Sequence, residues 1–139
     1  MIKDANARSA ACEGGLTIRQ VCDLLDGEII CCEPMADHVV RSACGCDLMS
    51  DVLAFTTPGS VLLTGLTNSQ VVRTAEMLDL KAVVFVRDKR PDPVTVRMAE
   101  AVNLVLVLVP RPLYESCGIL YAAGMPGCNG VNGLATSHD

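Results

Sequence analysis

Residues 44–55 read Cys-Gly-Cys-Asp-Leu-Met-Ser-Asp-Val-Leu-Ala-Phe and form the densest cluster of reactive side chains in the chain. Two thiols, two carboxylates and a hydroxyl fall within the first eight of these residues. We predict a strand over His38–Cys44 before the cluster and a short helix over Ser50–Phe55 at its end. A strand that turns directly into a helix is typical of an α/β fold.

The pattern becomes regular on the C-terminal side of this stretch. Three nearly continuous apolar segments alternate with segments of helical periodicity, which favours a parallel sheet buried on both faces. On the N-terminal side, Thr17 is a suitable N-cap for a helix that ends near Leu25, and a strand is expected over Glu28–Glu33. The regular part has strands over Ser60–Thr64, Ala82–Arg87 and Leu104–Val109, and helices over Asn68–Leu78, Asp92–Asn103 and Pro112–Ala123.

These elements predict one three-layer α/β domain over residues 16–124, with a mainly parallel sheet flanked by helices. The chain has 139 residues, which is a common size for a single domain. Residues 1–15 and 125–139 are rich in small and polar side chains, so we expect a flexible leader and a flexible tail.

Composition and charge argue against several classes of function. A net charge of −5 and an aromatic content of 3% disfavour nucleic-acid binding, which needs clustered cations and stacking platforms. The N-terminus has no apolar signal segment, and the longest apolar run, Leu104–Pro110, is too short to cross a bilayer. We therefore expect a cytoplasmic protein, in which most of the eight cysteines are reduced and packed as small apolar residues.

Residues 36–52 resemble the signature of the DRTGG domain family. Asp37 matches the aspartate of that signature, and Asp47 to Val52 match its Asp-Leu-Leu-Ser-Asp-Val block closely. Pro58-Gly59, Thr67-Asn68 and residues 78–84 continue the resemblance, which covers about residues 16–124. The chain departs from the family at His38, where arginine is usual, and at Ser42-Ala43, where two glycines are usual.

The resemblance implies a fold like the N-terminal domain of HPr kinase/phosphorylase, related to the N-terminal domains of Mur ligases. It also implies a regulatory or assembly role, often with self-association and without chemistry of its own. Kinase activity is not implied, since the chain has no Gly-x-x-x-x-Gly-Lys-Ser/Thr motif and no room for a kinase domain.

Two polar segments are candidates for a ligand site. The carboxylate of Asp47 and the hydroxyl of Ser50 could line one side, although either residue could instead cap the short helix. Gly65, Thr67 and Asn68 form a turn at a helix N-terminus, where backbone N–H groups suit a phosphate or carboxylate. A simple turn with an Asn cap is the alternative. Arg73, Arg87, Lys89 and Arg90 form a modest basic group, which is either a solvated surface or an anion-facing patch.

The cysteines suggest a different kind of site. In an extended segment Cys44 and Cys46 face the same side, and Cys31 and Cys32 are expected in a neighbouring strand. With His38 or Cys12 as a further ligand, these thiols could bind zinc or an iron–sulfur cluster, or act as a redox pair. Ordinary packing is the third interpretation.

The sequence thus favours a non-enzymatic regulatory or interaction domain that forms a homodimer and binds a small anionic ligand, such as a nucleotide. A metal- or redox-active accessory protein is the alternative. An enzyme ranks last, because no complete set of nucleophile, base and orienting residue is present. No cofactor and no partner protein can be named from the residues.

Overall fold

The computed structural model describes residues 14–128. Within that range the central element is a five-stranded sheet with helices on both faces, which confirms the predicted α/β class. The strands are β1 (Leu16–Thr17), β2 (Glu28–Cys31), β3 (Val39–Val40), β4 (Ala43–Gly45), β5 (Val61–Thr64), β6 (Ala82–Phe85) and β7 (Val105–Leu108), and a 3-10 turn covers Glu33–Met35. The helices are α1 (Ile18–Leu24), α2 (Met49–Phe55), α3 (Ser69–Met77), α4 (Pro93–Ala101) and α5 (Leu113–Ala122).

The order of strands in the main sheet is β2-β7-β6-β5-β4. Strands β4, β5, β6 and β7 are parallel, whereas β2 runs antiparallel to β7. Strands β1 and β3 form a separate antiparallel pair. The carboxyl ends of the four parallel strands therefore meet at one edge, where ligands bind in open α/β sheets.

Apolar residues on both faces of the sheet explain why it is sandwiched between helices. Every residue of β5, β6 and β7 is buried, as expected for a sheet that is covered on both sides. Helices α1 and α5 lie over one face, and α2, α3 and α4 pack over the other.

Three predicted helix starts are confirmed by their caps. Thr17 and Gln20 form a reciprocal capping box at α1, in which each side chain accepts a backbone N–H of the other. The Asn68 side chain accepts from the N–H of Gln70 at 3.0 Å, and that of Asp92 accepts from Thr95 at 2.8 Å. Each cap satisfies an N–H that has no partner within its helix.

Two details differ from the sequence-based expectation. The predicted strand over residues 38–44 is two strands, because β3 pairs with β1 while β4 joins the main sheet. Residues 125–128 belong to the packed body: Met125 is buried, and Gly127 forms a parallel bridge with Ala43 of β4. The remaining parts of the predicted leader and tail, residues 1–13 and 129–139, lie outside the described residues.

Candidate functional site

The carboxylate of Asp47 joins the ends of β4 and β5. Its Oδ1 accepts a hydrogen bond from Thr64 Oγ1 at 2.8 Å and one from the N–H of Gly65 at 2.7 Å. Thr64 Oγ1 in turn accepts from the N–H of Leu66 at 3.1 Å. Asp47 thereby fixes the turn that follows β5, and it does so from an exposed position.

The alternative prediction that Asp47 or Ser50 caps the short helix is wrong. The N-cap of α2 is Leu48, and no side chain makes a capping hydrogen bond there. Asp47 lies one residue too early and is already occupied by Thr64 and Gly65. Ser50 lies inside the first turn of α2 and is exposed.

The turn between β5 and α3 contains the other predicted ligand residues. The N–H of Gly65 is occupied by Asp47, and the amide oxygen of Asn68 is occupied by Gln70. Thr67 lies half-buried between them. The structure thus brings Asp47 and Gly65 into direct contact and places Thr67 and Asn68 in the same turn.

Gly65 places no side chain next to Asp47 at the carboxyl ends of the strands. A Cβ atom there would lie 3.7 Å from the Asp47 carboxylate and 3.8 Å from Val86 Cγ2, which are ordinary contact distances. No steric clash forces a glycine at this position. Its effect is to keep the space between Asp47 and the end of β6 free of a side chain.

The turn after β6 follows Val86, the neighbour of Gly65, and has an unusual backbone. Arg87 and Asp88 both have positive φ, +59° and +54°, and the N–H of Lys89 closes the turn on the carbonyl of Val86 at 3.2 Å. Each left-handed residue other than glycine costs roughly 1 kcal/mol or more, and such strain often occurs at binding sites. Within residues 14–128, Arg87 and Lys89 make no ion pair, so their charges are available at the edge.

Two other cations at the carboxyl ends of the strands, Arg90 and Arg111, are already paired. Arg90 contacts Glu28 at 3.2 Å, and Arg111 contacts Asp26 at 2.6 Å. All four side chains are substantially exposed, so each pair contributes little to stability. The sequence-based basic group therefore divides into paired Arg90, unpaired Arg87 and Lys89, and Arg73 on the outer surface of α3.

The structure separates the four cysteines that were considered as metal ligands. Cys31 ends β2 and Cys44 lies in β4, at opposite edges of the main sheet with three strands between them. At a strand spacing of about 4.8 Å, these edges are roughly 19 Å apart. The expectation that the two segments are neighbouring strands is wrong, because β2 pairs with β7. Across residues 14–128, no three His, Cys, Asp or Glu side chains are grouped as a metal site would require.

The local environment of each thiol also differs. Burial raises the pKa of Cys31 to about 12, so its sulfur stays protonated, and its Sγ contacts the carbonyl of Leu104 at 3.6 Å. Cys32 Sγ contacts the carbonyl of Ala99 at 3.8 Å, and Cys46 Sγ contacts that of Leu48 at 3.5 Å. Cys12, the alternative fourth ligand, lies outside the described residues.

One polar cluster was missed at the sequence level. Cys128 Sγ lies 3.6 Å from Ser60 Oγ, which is 2.5 Å from Ser42 Oγ, and Cys44 and Cys128 each follow a residue of the Ala43–Gly127 bridge. The two serines precede β4 and β5 directly, and a serine before each of two strands was the available signal. Cys128 offered none, because it falls in a segment with the composition of a tail.

A cavity of about 440 Å³ borders β4. It lies between α5 and the segment after it, and Gly45, Cys117 and Met125 form part of its wall. Tyr114 and Tyr121 of α5 also border it, with 89% and 69% of their surface exposed.

Comparison with known proteins finds a solved structure with a similar fold. No protein-family model matches the chain, and no curated protein matches it. A solved structure does match: the CBS and DRTGG domains of the regulatory region of Clostridium perfringens pyrophosphatase, complexed with the activator diadenosine tetraphosphate. The TM-score is 0.65 at 11% sequence identity, over 88% of this chain and 51% of that one.

This match confirms the DRTGG-like resemblance at the level of the fold. The chain spans about half the length of the pyrophosphatase regulatory region. At 11% identity the likeness concerns architecture, and the ligand of the pyrophosphatase belongs to that protein. No helix among residues 14–128 is both long and apolar enough to cross a membrane.

Proposed function

We propose that this chain is a non-enzymatic regulatory domain that binds a small anionic ligand, a nucleotide or another phosphate compound, at the carboxyl-end edge of its parallel strands. The proposal includes self-association as a homodimer and a cytoplasmic setting, where the cysteines are largely reduced. The structural relative with a bound nucleotide activator supports the choice of ligand class.

The observation that carries the proposal is the position of Gly65, which has no side chain and lies between two charged groups. The Asp47 carboxylate contacts it directly, and the unpaired cations Arg87 and Lys89 follow the neighbouring strand β6. Asp47 Oδ1 is occupied, but its Oδ2 makes no hydrogen bond within residues 14–128 and could accept one from a sugar hydroxyl. On the other side, the charges of Arg87 and Lys89 suit a phosphate. The N-terminus of the nine-residue helix α3 adds a favourable dipole at the same edge.

This arrangement changes the role of the predicted residues. The N–H of Gly65 cannot bind a phosphate while it donates to Asp47. In the proposal Gly65 therefore leaves space for the ligand, and Asp47 contacts the sugar. Ser50 in the first turn of α2, and Thr67 and Asn68 in the turn before α3, remain proposed ligand-lining residues. The cations of the β6–α4 turn supply the charge that these residues lack.

A ligand titration tests this site. The full-length protein is heated with 1 mM ATP, AMP or inorganic phosphate, and the unfolding temperature is recorded for wild type, Arg87→Gln and Arg41→Gln. A dissociation constant near 0.1 mM would stabilise the wild type by about 1.4 kcal/mol. Arg87→Gln should weaken binding about tenfold, whereas Arg41→Gln, before β4 at the opposite end of the strands, should not.

Two outcomes would contradict the proposed site. One is the absence of any shift at 5 mM of each compound. The other is loss of the shift in Arg41→Gln but not in Arg87→Gln, which would place the ligand near the cavity that Arg41 and Lys81 line at the amino ends of the strands.

Exposed apolar residues near the β4 edge support self-association. Leu48, Leu53 and Phe55 on and before α2 expose 59%, 41% and 40% of their surfaces. Sedimentation should give twice the 14.7 kDa of one chain, and Leu53→Glu should shift it toward the monomer. Met77→Glu, at a position 72% exposed on α3, is the matched control. A monomeric wild type at 0.1 mM would contradict the dimer.

A further inference from the structure

The segment that follows α5 continues the main sheet beyond β4. The N–H of Ala43 donates to the carbonyl of Pro126 at 3.0 Å, and Ala43 and Gly127 form a parallel bridge. Met125, just before this bridge, is buried in the core. Residues 125–128 therefore occupy the place of an additional edge strand.

This pairing puts two cysteines side by side. In a parallel pair of strands the residues that follow a bridge remain in register, so Cys44 lies next to Cys128. Neighbouring strands are about 4.8 Å apart, which is inside the Cα separation of roughly 4.4–6.8 Å found for disulfides. The two thiols interact closely enough for each to shift the pKa of the other.

Polar groups around Cys128 favour its thiolate. The Cys128 thiol donates to Ser60 Oγ at 3.6 Å, and Cys44 and the backbone of Thr57 also interact with this sulfur. These interactions, of which that with Cys44 is the largest, lower the pKa of Cys128 to about 5, while the pKa of Cys44 is raised. One thiolate and one thiol in contact are the two reactants that a disulfide needs.

The pair is also accessible from solvent. Cys44 and Cys128 are both partly exposed. A cavity of about 310 Å³ is lined by Ser42, Thr57 and Pro126 of the surrounding segments, and neither cysteine forms part of its wall. The partial exposure of the two residues themselves lets a small oxidant approach them without unfolding of the sheet.

We propose that Cys44 and Cys128 form a reversible disulfide, with a hydroperoxide as the oxidant, and that this bond fastens the segment after α5 to the edge of the main sheet. The site is independent of the proposed ligand site, which lies at the carboxyl ends of the strands. A transient disulfide of this kind is compatible with a reducing compartment, where such bonds serve as redox sensors.

The reaction proceeds in two balanced steps. The Cys128 thiolate attacks the terminal oxygen of the hydroperoxide, so that an S–O bond forms, the O–O bond breaks, and the alkoxide takes a proton from water. Cys44 then attacks the Cys128 sulfenic sulfur, and its proton leaves with the hydroxyl as water. Two thiols are oxidised to a disulfide, and one hydroperoxide is reduced to an alcohol and water.

Peptide mapping of the oxidised full-length chain tests the bond. The reduced protein receives one equivalent of tert-butyl hydroperoxide, its remaining thiols are alkylated, and it is digested with trypsin under non-reducing conditions. We expect two fewer alkylated cysteines and a link between residues 42–73 and 98–139, both reversed by dithiothreitol. Any other linked pair, or oxidation without a link, would overturn the proposal.

Variants resolve the remaining ambiguity, because these two peptides also contain Cys46 and Cys117. The double variant Cys46→Ser/Cys117→Ser should still form the link at the wild-type rate. Cys44→Ser should accumulate a sulfenic acid on Cys128 that dimedone traps, and Cys128→Ser should lose peroxide reactivity at least tenfold. A link that disappears in the Cys46/Cys117 variant would assign it to the wrong pair and overturn the proposal.

Discussion

Two pairs of cysteines lie at opposite edges of the same sheet, and they have opposite chemistry. At the β2 edge, Cys31 is buried against apolar neighbours, and burial raises its pKa to about 12. At the β4 edge, interactions of Cys128 with Cys44 and with polar groups of Ser60 and Thr57 lower its pKa to about 5. We infer that the partners of a thiol, and not its distance in sequence from another thiol, decide how readily it ionises.

The two edges are also held in place differently. The β4 edge is fixed by buried or directional hydrogen bonds, with Asp47 joined to Gly65 and Ala43 joined to Pro126. The β2 edge carries the exposed ion pairs Arg90–Glu28 and Arg111–Asp26. Charge-assisted bonds to backbone N–H groups contribute more to stability than exposed ion pairs do, so the two edges should respond unequally to mutation.

The largest expected difference is in thiol reactivity. The lowered pKa of Cys128 favours its thiolate at pH 7, whereas a pKa of about 12 leaves only about 1 in 10⁵ molecules with Cys31 ionised. A thiolate of low pKa is intrinsically less nucleophilic, and this offsets about three powers of ten of the difference in ionised fraction. The alkylation rate of Cys128 should therefore exceed that of Cys31 by roughly 100-fold or more. Iodoacetamide labelling followed by peptide mass spectrometry measures it. Equal labelling of both sites would remove the contrast between the edges.

Replacement by serine should separate the same two cysteines in stability. Cys31→Ser places a hydroxyl in an apolar cluster and should cost about 1–2 kcal/mol in the free energy of unfolding. Cys128→Ser keeps a polar atom near Ser60 and Thr57, so its cost should stay below about 1 kcal/mol. Urea denaturation of both variants gives the comparison. A larger loss for Cys128→Ser would show that its sulfur packs as an apolar group.

Removal of one carboxylate at each edge tests how the edges are held. Asp47→Ala breaks two hydrogen bonds, to Thr64 Oγ1 and to the N–H of Gly65, and should cost about 1–2 kcal/mol. Glu28→Ala, the control at the β2 edge, removes an ion pair whose side chains are 55% and 60% exposed and should cost below about 0.5 kcal/mol. Equal effects in urea denaturation would mean that the Asp47 contacts contribute nothing beyond a surface charge.

Much of the fold could be predicted because its signals are local. The caps at Thr17, Asn68 and Asp92 mark helix starts through side-chain chemistry within three residues, and the apolar strands β5 to β7 are continuous in sequence. The position of β2 could not be predicted, since pairing with β7 joins residues nearly 80 positions apart and no local pattern records it.

The candidate site was predictable only in part for the same reason. The carboxylate of Asp47 and the turn at Gly65 are both visible in the sequence next to predicted strands, but the direct hydrogen bond between them depends on the register of β4 against β5. The composition of residues 126–139, with three glycines and two asparagines, predicts a tail around Cys128. Its segment is held by backbone pairing with Ala43, and composition does not reveal backbone pairing.

The smallest expected effect is a pH dependence of stability that Cys128 adds. Its pKa is lower in the folded chain than in the unfolded one, so the unfolded state binds more protons between about pH 5 and pH 9. The folded state therefore gains stability as pH rises through that range and loses it as pH falls toward 5. Because the site is partly exposed, screening should limit the gain to about 1 kcal/mol or less.

Thermal unfolding of the reduced protein at pH 5.5 and 8 should show this gain in the wild type but not in Cys128→Ser. Cys31→Ser, which leaves the β4 edge intact, should retain it, and an identical pH profile for all three proteins would mean that the Cys128 thiolate is not stabilised in the fold.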